Sequence, residues 1–490
     1  MIGLYTAAEV RTAEAPLLAA LPEGALMQRA ATGLATICFR LLGTAYGRHV
    51  VLLVGSGNNG GDALFAGARL AARGARVTAV LLDPDRAHTA GLAALRRAGG
   101  RGAGVGGSAV DALLARANLV VDGILGIGGR GGLRSGAAAL AEAAATGPGI
   151  TVAVDVPSGV DADTGAVDGV AFAAMHTVTF GAVKPGLVVG QGRGFAGRVH
   201  LVDIGLGPHL QSATTSQLAD ADVAAALEPP SPGDDKYSQG VVGIVAGSAT
   251  YPGAGVLCTG AALRTRPGLV RYAGTAADGV RAAWPEAIVT DARPGDAGRV
   301  QAWVVGPGMG TDDAARGVLA EVLATDLPVV ADADALTMLA REPSLVRGRS
   351  APTILTPHDR EFARFGSEVG ADRIGAVRRL AADLGAVVLL KGDATVVADP
   401  EGTAFVNATG TAWLATAGTG DVLSGITGAL LATGLPAARA AAVAAHLHGR
   451  TGQLAAERGP LLAGDLVRRL PEAVGRLRGV PARRLGDWEA

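Results

Sequence analysis

The stretch GSGNNGGD, residues 55–62, follows an apolar run, and Gly55, Gly57 and Gly60 have the spacing of a dinucleotide-binding turn, with Asp83 about where a ribose-binding acid would stand. Glycines there remove the Cβ obstruction and let backbone amides approach a phosphate at the positive end of the next helix. Three further loops concentrate polar groups. VDGILGIGGRGG supplies Asp122, a glycine loop and Arg130; VDVPSGVDADTG supplies Asp155 and Ser158; VTFGAVKPGL supplies Lys184. Each alone could be a tight turn, a cap or a solvated charge. Together, Asn59, Asp122 and Ser158 offer only hard oxygen ligands, which suit an alkali or alkaline-earth ion better than zinc, and the single carboxylate favours a monovalent one.

The second half carries a different signal. In AGTGD, Gly418–Asp421 precede VLSGITGALLATG, a good helix, so glycine amides point into a common space at a helix start. Such an anion hole stabilises a developing phosphoryl charge while Asp421 takes a proton from the attacking hydroxyl. No Walker A pattern occurs in the chain, and KGDAT, Lys391–Thr395, is the alternative holder of nucleotide phosphates. GSATYPGAG follows a strand as GSGNNGGD does, GPGMG is a second close-approach loop, and TPHDRE places His358 and Glu361 after another strand. His446 and His448 lie in an Ala-rich helix and read as packed or surface histidines rather than ligands.

These loops need a scaffold. From residue 50 to 205, short β-branched runs alternate with Ala-rich helical stretches, and VVLLVG, RVTAVLLD, LVVDGILG, ITVAVDVPSG, HTVTFG and VHLVDIG each end in Gly, Asp or a turn. The product is an α/β fold with an open parallel sheet covered on both faces, binding ligands beyond the carboxyl ends of its strands. The rhythm stops after Asp203, and a polar stretch with a Pro and Gly cluster, centred near 208–236, reads as a linker before alternation resumes at VVGIVAGS. The predicted organisation is a domain over 1–212, a linker over 213–235 and a second α/β domain over 236–490. A chain of 490 residues is too long for one ordinary core. Its apolar residues are mostly Ala, Val and Leu with few aromatics, which suits helices laid on parallel sheets. A net charge of −1 with scattered Lys and Arg argues against a nucleic-acid partner. The two cysteines, Cys38 and Cys258, read as buried helix residues, not a disulfide or zinc site. With neither a signal-like start nor a membrane-length apolar run, no membrane partner and a cytoplasmic location are expected.

GNNGGD, VDGILGIGGRG, VDVPSGVDADTG, VTFGAVKPGL and VDIG, in this order and spacing, resemble the NAD(P)H-hydrate epimerase family over most of residues 1–210, the LMQRAATGLA helix included. The resemblance implies a Rossmann-like three-layer domain that interconverts the R and S forms of hydrated NADH or NADPH. It implies that Asn58, Asn59, Gly60, Gly61 and Asp62, with Gly126, Ile127, Gly128, Gly129, Arg130, Gly131 and Gly132, cradle the substrate. Asn59, Asp122 and Ser158 would hold potassium, and Asp155 would stand near the reacting ring. The dinucleotide is then a substrate whose nicotinamide ring has gained water, not a cofactor. Its hydrated carbon bears both a hydroxyl and the ring nitrogen, so configuration is lost by reversible loss of the hydroxyl or by ring opening. A positioned carboxylate such as Asp155 suffices to move the proton, an effect worth roughly 10²- to 10⁴-fold. The family usually has Gly where this chain has Ala63, a methyl expected to tighten the pocket without touching its polar groups.

In the second half GSATYPGAG, GPGMG, TPHDRE, KGDAT and above all AGTGDVLSGI resemble the ADP/ATP-dependent NAD(P)H-hydrate dehydratase family, from about Lys236 to about residue 475. That implies a ribokinase-like α/β fold. Ala254, Gly310, His358 and Asp421 would contact the hydrated dinucleotide, and Lys391, Gly392, Asp393, Ala394, Thr395 and Gly420 would bind the adenine nucleotide. In bacterial members that nucleotide is ADP, with magnesium bridging its phosphates. The family commonly reads Pro-Gly-Glu after the histidine, whereas Asp359 and Arg360 precede Glu361 here, a change expected to shift the loop. The expected reaction is phosphorylation of the ring hydroxyl by ADP, then loss of phosphate, a better leaving group than hydroxide. A homo-oligomer is also expected. Two rivals stay open: a ribokinase-like kinase of a small alcohol with a nucleotide-sensing first domain, and a first domain that binds without catalysing. A dehydrogenase is disfavoured, because the first domain offers no obvious carbonyl-polarising histidine.

Overall fold

The computed structural model describes residues 1–105, 108–129, 131–266, 268–291, 293–457 and 459–479. Contacts divide the chain into two compact units, Gly3–Ala213 and Thr214 onward, the second also taking Met1–Ile2.

In the first unit, Leu4 of the short strand β1 (Ile2–Leu4) bridges Val183. The strands β2 (His49–Val54), β3 (Arg76–Leu81), β4 (Arg101–Gly104), β5 (Leu119–Gly123), β6 (Ile150–Val154), β7 (His176–Phe180) and β8 (Arg198–Val202) form one sheet in the order β4-β3-β2-β5-β6-β7-β8. Every ladder in it is parallel. Alternate residues of β2 enter different cores. Val50, Leu52 and Val54 pack with Leu34 and Leu64, while Val51 and Leu53 pack with Leu140 and Ala144. A strand apolar on both faces is what helices above and below a parallel sheet require, and the unit is a three-layer α/β fold. The strand order reverses between β2 and β5, so the crevice for a ligand lies beside the loops that follow those two strands. The fingerprint glycines let the loops approach: a Cβ on Gly55 would lie 2.0 Å from the Ile124 carbonyl oxygen, and one on Gly60 would lie 2.3 Å from that of Gly55.

The second unit contains β9 (Thr215–Gln217), β10 (Val241–Val245), β11 (Leu269–Ala273), β12 (Ile288–Thr290), β13 (Ala302–Val305), β14 (Val329–Ala331), β15 (Thr353–Leu355), β16 (Val387–Leu390), β17 (Thr395–Ala398) and β18 (Ala404–Asn407). They run in the order β9-β18-β17-β16-β15-β14-β13-β10-β11-β12. The body from β12 to β16 is parallel, and β16-β17-β18 is antiparallel. The helix Thr419–Ala432 that follows AGTGD is buried along nearly its whole length and packs with Pro252–Thr265 and Ala437–Ala456. Its apolar character on every side follows from that central position.

Residues 213–235 correct the linker expectation. β9 pairs with β18, and the helix Asp220–Ala226 packs on the same unit through buried Leu218, Val223 and Leu227. Three apolar residues are too few to show a period in the sequence, yet they suffice for a three-residue strand and a two-turn helix. Asp220 is bonded by Arg450 and by His446, and both cysteines are buried and free. Among the described residues, no helix is long and apolar enough to cross a membrane.

Candidate functional site

The loops after β2 and β5 open onto a cleft of about 980 Å³. Asn58, Asn59 and Asp62 line it from the start of the helix Asn58–Ala71, and Gly126, Ile127, Gly128 and Gly129 line it from the loop after β5. No side chain caps that helix at Gly57, so its leading N–H groups are available to an anion. Other residues of the two motifs serve the scaffold. Gly61 faces Met27 and His88, and Gly132 lies against the Asp168 backbone with Gly131 in the turn before it. Arg130 lies outside the described residues. Ala63 does not line the cleft: it is fully buried, with its methyl directed at Gly123, so the expected tightening of the pocket does not occur.

Asp122, at the end of β5 and 0% exposed, accepts from the Ser158 hydroxyl at 2.7 Å, the Ser158 N–H at 2.8 Å and the Ile124 N–H at 3.2 Å. Burial pushes its carboxyl up to about 6 against the pull of those bonds. Ser158 Oγ also accepts from the Leu125 N–H at 2.8 Å, and Asn59 Nδ2 donates to the Leu125 carbonyl at 2.8 Å. The three side chains thus meet around one stretch of backbone. Their oxygen donors, with one carboxylate among them, fit a hard monovalent cation.

Asp155 follows β6 with φ 65; among the described residues only Ala333 is another non-glycine residue with positive φ. Such a conformation costs of order 1–3 kcal/mol and persists where surroundings enforce it. Enforcement is visible here. Lys184 Nζ at 2.6 Å, Thr179 Oγ1 at 3.1 Å and the Phe180 N–H at 3.3 Å all donate to Asp155 Oδ1. Lys184 is 1% exposed and also donates to Thr179 Oγ1 and the Phe180 carbonyl, so its ammonium is fully engaged. Asp155 Oδ2 is left for the cleft that the residue lines.

In the second unit the polar groups again gather beyond the carboxyl ends of parallel strands. Asp332 follows β14, His358 follows β15 and Lys391 follows β16. Lys391 Nζ donates to Asp332 Oδ1 at 2.7 Å and lies 3.5 Å from Glu361 Oε2. Burial alone would depress the Lys391 ammonium, but Asp332 and Glu361 outweigh it and raise its pKa. The other Asp332 oxygen accepts from the Ser424 hydroxyl at 2.7 Å, which ties the cluster to the helix carrying Asp421. A Cβ on Gly420 would stand 3.7 Å from Lys391 Nζ, and one on Gly418 would stand 3.9 Å from Asp421 Oδ2. Burial first, then the Asp332 carboxylate, raises Asp421 to about 6. Asp334 adds to that effect and also accepts from the Gly310 N–H at 2.9 Å.

Lys391, Gly420, Asp421 and, through Asp334, Gly310 are therefore brought together. Ala254, on the helix Pro252–Thr265, borders the GPGMG loop at Gly308. Within KGDAT, Gly392 lies against the Arg373 guanidinium, while Ala394 is buried and Thr395 opens β17. With Asp359 and Arg360 between His358 and Glu361, that carboxylate stays inside. His358 caps the short helix Asp359–Ala363, and Glu361 returns to accept from the His358 N–H at 2.9 Å. Asp359 is held by Arg373 through two bonds of 2.9 Å. His446 and His448 are both buried. Burial holds His448 down to about 4, and the neutral ring donates Nε2–H to the Thr419 carbonyl at 3.0 Å beneath the AGTGD turn.

Residues 242–472 match the NAD(P)H-hydrate dehydratase family, and residues 23–186 match the YjeF-related protein N-terminus. The chain is 52% identical over 443 residues to the bifunctional NAD(P)H-hydrate repair enzyme Nnr of Mycobacterium tuberculosis (strain CDC 1551 / Oshkosh), covering 89% of this chain and 91% of that one. This chain belongs to the bifunctional NAD(P)H-hydrate repair enzymes. The repair enzyme Nnr of Mycobacterium leprae (strain TN) is also 52% identical, over 93% of this chain and 95% of its own. Among solved structures, an ADP/ATP-dependent NAD(P)H-hydrate dehydratase from Bacillus subtilis co-crystallised with ATP/Mg2+ is 29% identical, with a TM-score of 0.48 over 54% of this chain and 98% of that one.

Within this repair enzyme, motif reading misses residues that complete both sites. Arg11 and Glu14, from the helix Ala7–Ala20, line the first cleft although no glycine or turn motif marks them. Asp332 and Ser424 organise Lys391 in the second. A signal for these was present: ADADAL puts two acids directly after an apolar strand, and Ser424 stands one helical turn beyond Asp421.

Proposed function

We propose that the first unit interconverts R and S NAD(P)H hydrate, and that the second dehydrates the S form with ADP, giving NAD(P)H, AMP and phosphate. The observation that carries the reading is the carboxyl of Asp421, raised to about 6 at a helix start, beside a lysine already fixed by Asp332. A base poised near neutral pH suits removal of a hydroxyl proton. The ring hydroxyl oxygen attacks the terminal phosphorus, Asp421 takes its proton, and the bond to AMP breaks while Lys391 and the helix N–H groups meet the phosphoryl charge. Phosphate then leaves the ring carbon, and loss of a proton from the neighbouring carbon restores the double bond. Magnesium is expected to arrive on the nucleotide: among the described residues no three His, Cys, Asp or Glu side chains form a ready metal site.

In the first unit, Asp155 Oδ2 is the free oxygen that moves a proton at the hydrated carbon, and Lys184 fixes its position. Asn59, Asp122 and Ser158 are the residues that would hold potassium, which would supply a fixed positive charge beside the anionic dinucleotide. The test supplies the full chain with mixed R and S NADH hydrate and with ADP, ATP or neither, and follows both epimers by chromatography as NADH appears. Complete conversion with ADP, and epimer exchange without nucleotide, is the expected result. Consumption of the S epimer alone defeats the first half of the reading, preference for ATP defeats the donor assignment, and a stable phosphorylated product would mark a kinase.

A further inference from the structure

Asp62 stands apart from the other polar groups of the first cleft. It is 9% exposed and lines the cleft, yet its Oδ1 is buried without a hydrogen-bond partner, a condition shared among the described residues only with Thr259 Oγ1. An unpaired carboxylate in that position is costly, and the neutral acid is the form that burial tolerates. The charged groups around the cleft do not relieve it. Lys184 is spent on Asp155, Arg11 donates to the Ile127 carbonyl at 3.2 Å, and His88 accepts from the Gly91 N–H through Nδ1. Glu14 and Glu23 add further acids. Burial first, then the Asp155 and Glu14 carboxylates, hold Asp62 well above the usual carboxylate range.

The two carboxyls reach the cleft from different elements. Asp62 belongs to the helix that follows β2, Asp155 follows β6, and β5 lies between those strands. One carboxylate suffices to move a proton, but inversion through loss and return of water is served best by two groups, one at the departing oxygen and one at the arriving oxygen.

We propose that Asp62 is the second catalytic residue of the first unit, the acid that protonates the departing ring hydroxyl while Asp155 takes the proton of the water that adds back. The inference rests on the epimerase reading above. In the first step the Asp62 proton moves to the hydroxyl oxygen, the carbon–oxygen bond breaks with its electron pair on oxygen, and water leaves. The ring nitrogen lone pair forms a carbon–nitrogen double bond, and Asp62 becomes a carboxylate. In the second step a water oxygen bonds to the carbon from the other face, its proton passes to Asp155 Oδ2, and the double-bond pair returns to nitrogen. Proton exchange through the cleft resets the two carboxyls, and the reverse reaction uses them in exchanged roles.

The experiment uses the full chain with R NADH hydrate in ¹⁸O-water without nucleotide, reading epimer ratio, label and pH dependence. The wild type is expected to place ¹⁸O on the ring carbon at each inversion and to lose activity at alkaline pH as Asp62 ionises. In Asp62→Asn, kcat for exchange should fall roughly 10²- to 10⁴-fold with KM changed little, and the alkaline limb should vanish. Dehydration of the S epimer, measured in the same preparation with ADP, should be unchanged. If that variant does not fold, Asp62→Ser and the wild-type label and pH profile still decide. Inversion without label uptake, an unaltered alkaline limb, or a rise in KM alone overturns the proposal. A wild type without exchange defeats the epimerase reading itself.

Discussion

Asp155 and Asp421 are the candidate bases of the two units, and the chain holds them in opposite ways. Asp155 sits on strained backbone with a buried ammonium 2.6 Å from one oxygen. Asp421 stands in the first turn of a helix with φ 87 at the glycine before it, and the nearby ammonium of Lys391 is bonded to Asp332 instead. One oxygen of Asp155 is thereby committed to structure and the other is left for chemistry, so position is what the first site controls. In the second site the cation is held on Asp332, where the proposed reaction would use it for the incoming phosphates, and burial beside a second carboxylate raises the proton affinity of the base. A base that serves an uncharged ring can tolerate a permanent cation. A base beside a phosphoryl group cannot compete with that group for the same ammonium.

The largest expected effect separates the two sites outright. Asp421→Asn should lower dehydration roughly 10²- to 10⁴-fold and leave epimer exchange intact. Equal loss of both activities, measured on the same preparation, would break the two-site comparison.

Removing the fixed cation probes the first site. Lys184→Met leaves Asp155 without its partner, and breaking a buried pair from one side costs about 3–5 kcal/mol. Denaturant unfolding should show that loss in the transition reported by epimer exchange, while dehydration persists. Unchanged stability would mean that water replaces the ammonium and that position is controlled by the backbone alone.

The proton affinity of Asp421 gives a smaller, graded effect. Its carboxyl is raised to about 6, so the basic form prevails above that pH and is lost as pH falls through it. Dehydration at saturating ADP should be about tenfold slower at pH 5 than well above pH 6, with recovery on return to neutral pH. A rate unchanged down to pH 5 would show that bound nucleotide has pulled the carboxyl back to its ordinary range.

The parts of the fold legible in the sequence are those whose residues repeat: β-branched runs ending in glycine or acid, separated by Ala-rich stretches, display the alternation that becomes two α/β units. Loop residues were legible where a motif is compact, as in GSGNNGGD and AGTGD. Glu14 and Arg11 were not, because they reach the cleft from a helix whose spacing gives no sign of what it covers. Asp332 was not, because an acid after a strand acquires its role only when Lys391 and Ser424 arrive from 59 and 92 residues away. The segment over 213–235 was misread because its few buried residues are too sparse to show a period.

Ala63 sharpens the comparison at its smallest scale. It lies one residue beyond Asp62, but its methyl packs against Gly123 beneath the loops and away from the cleft. Ala63→Gly should therefore cost about 0.5–1 kcal/mol through helix propensity, read as a lower unfolding midpoint, and leave KM for the hydrated dinucleotide unchanged. A clear change in KM would mean that the first turns of this helix shift when its packing is loosened. The first site would then depend on the backbone beneath Asp62 as much as on the Lys184 contact.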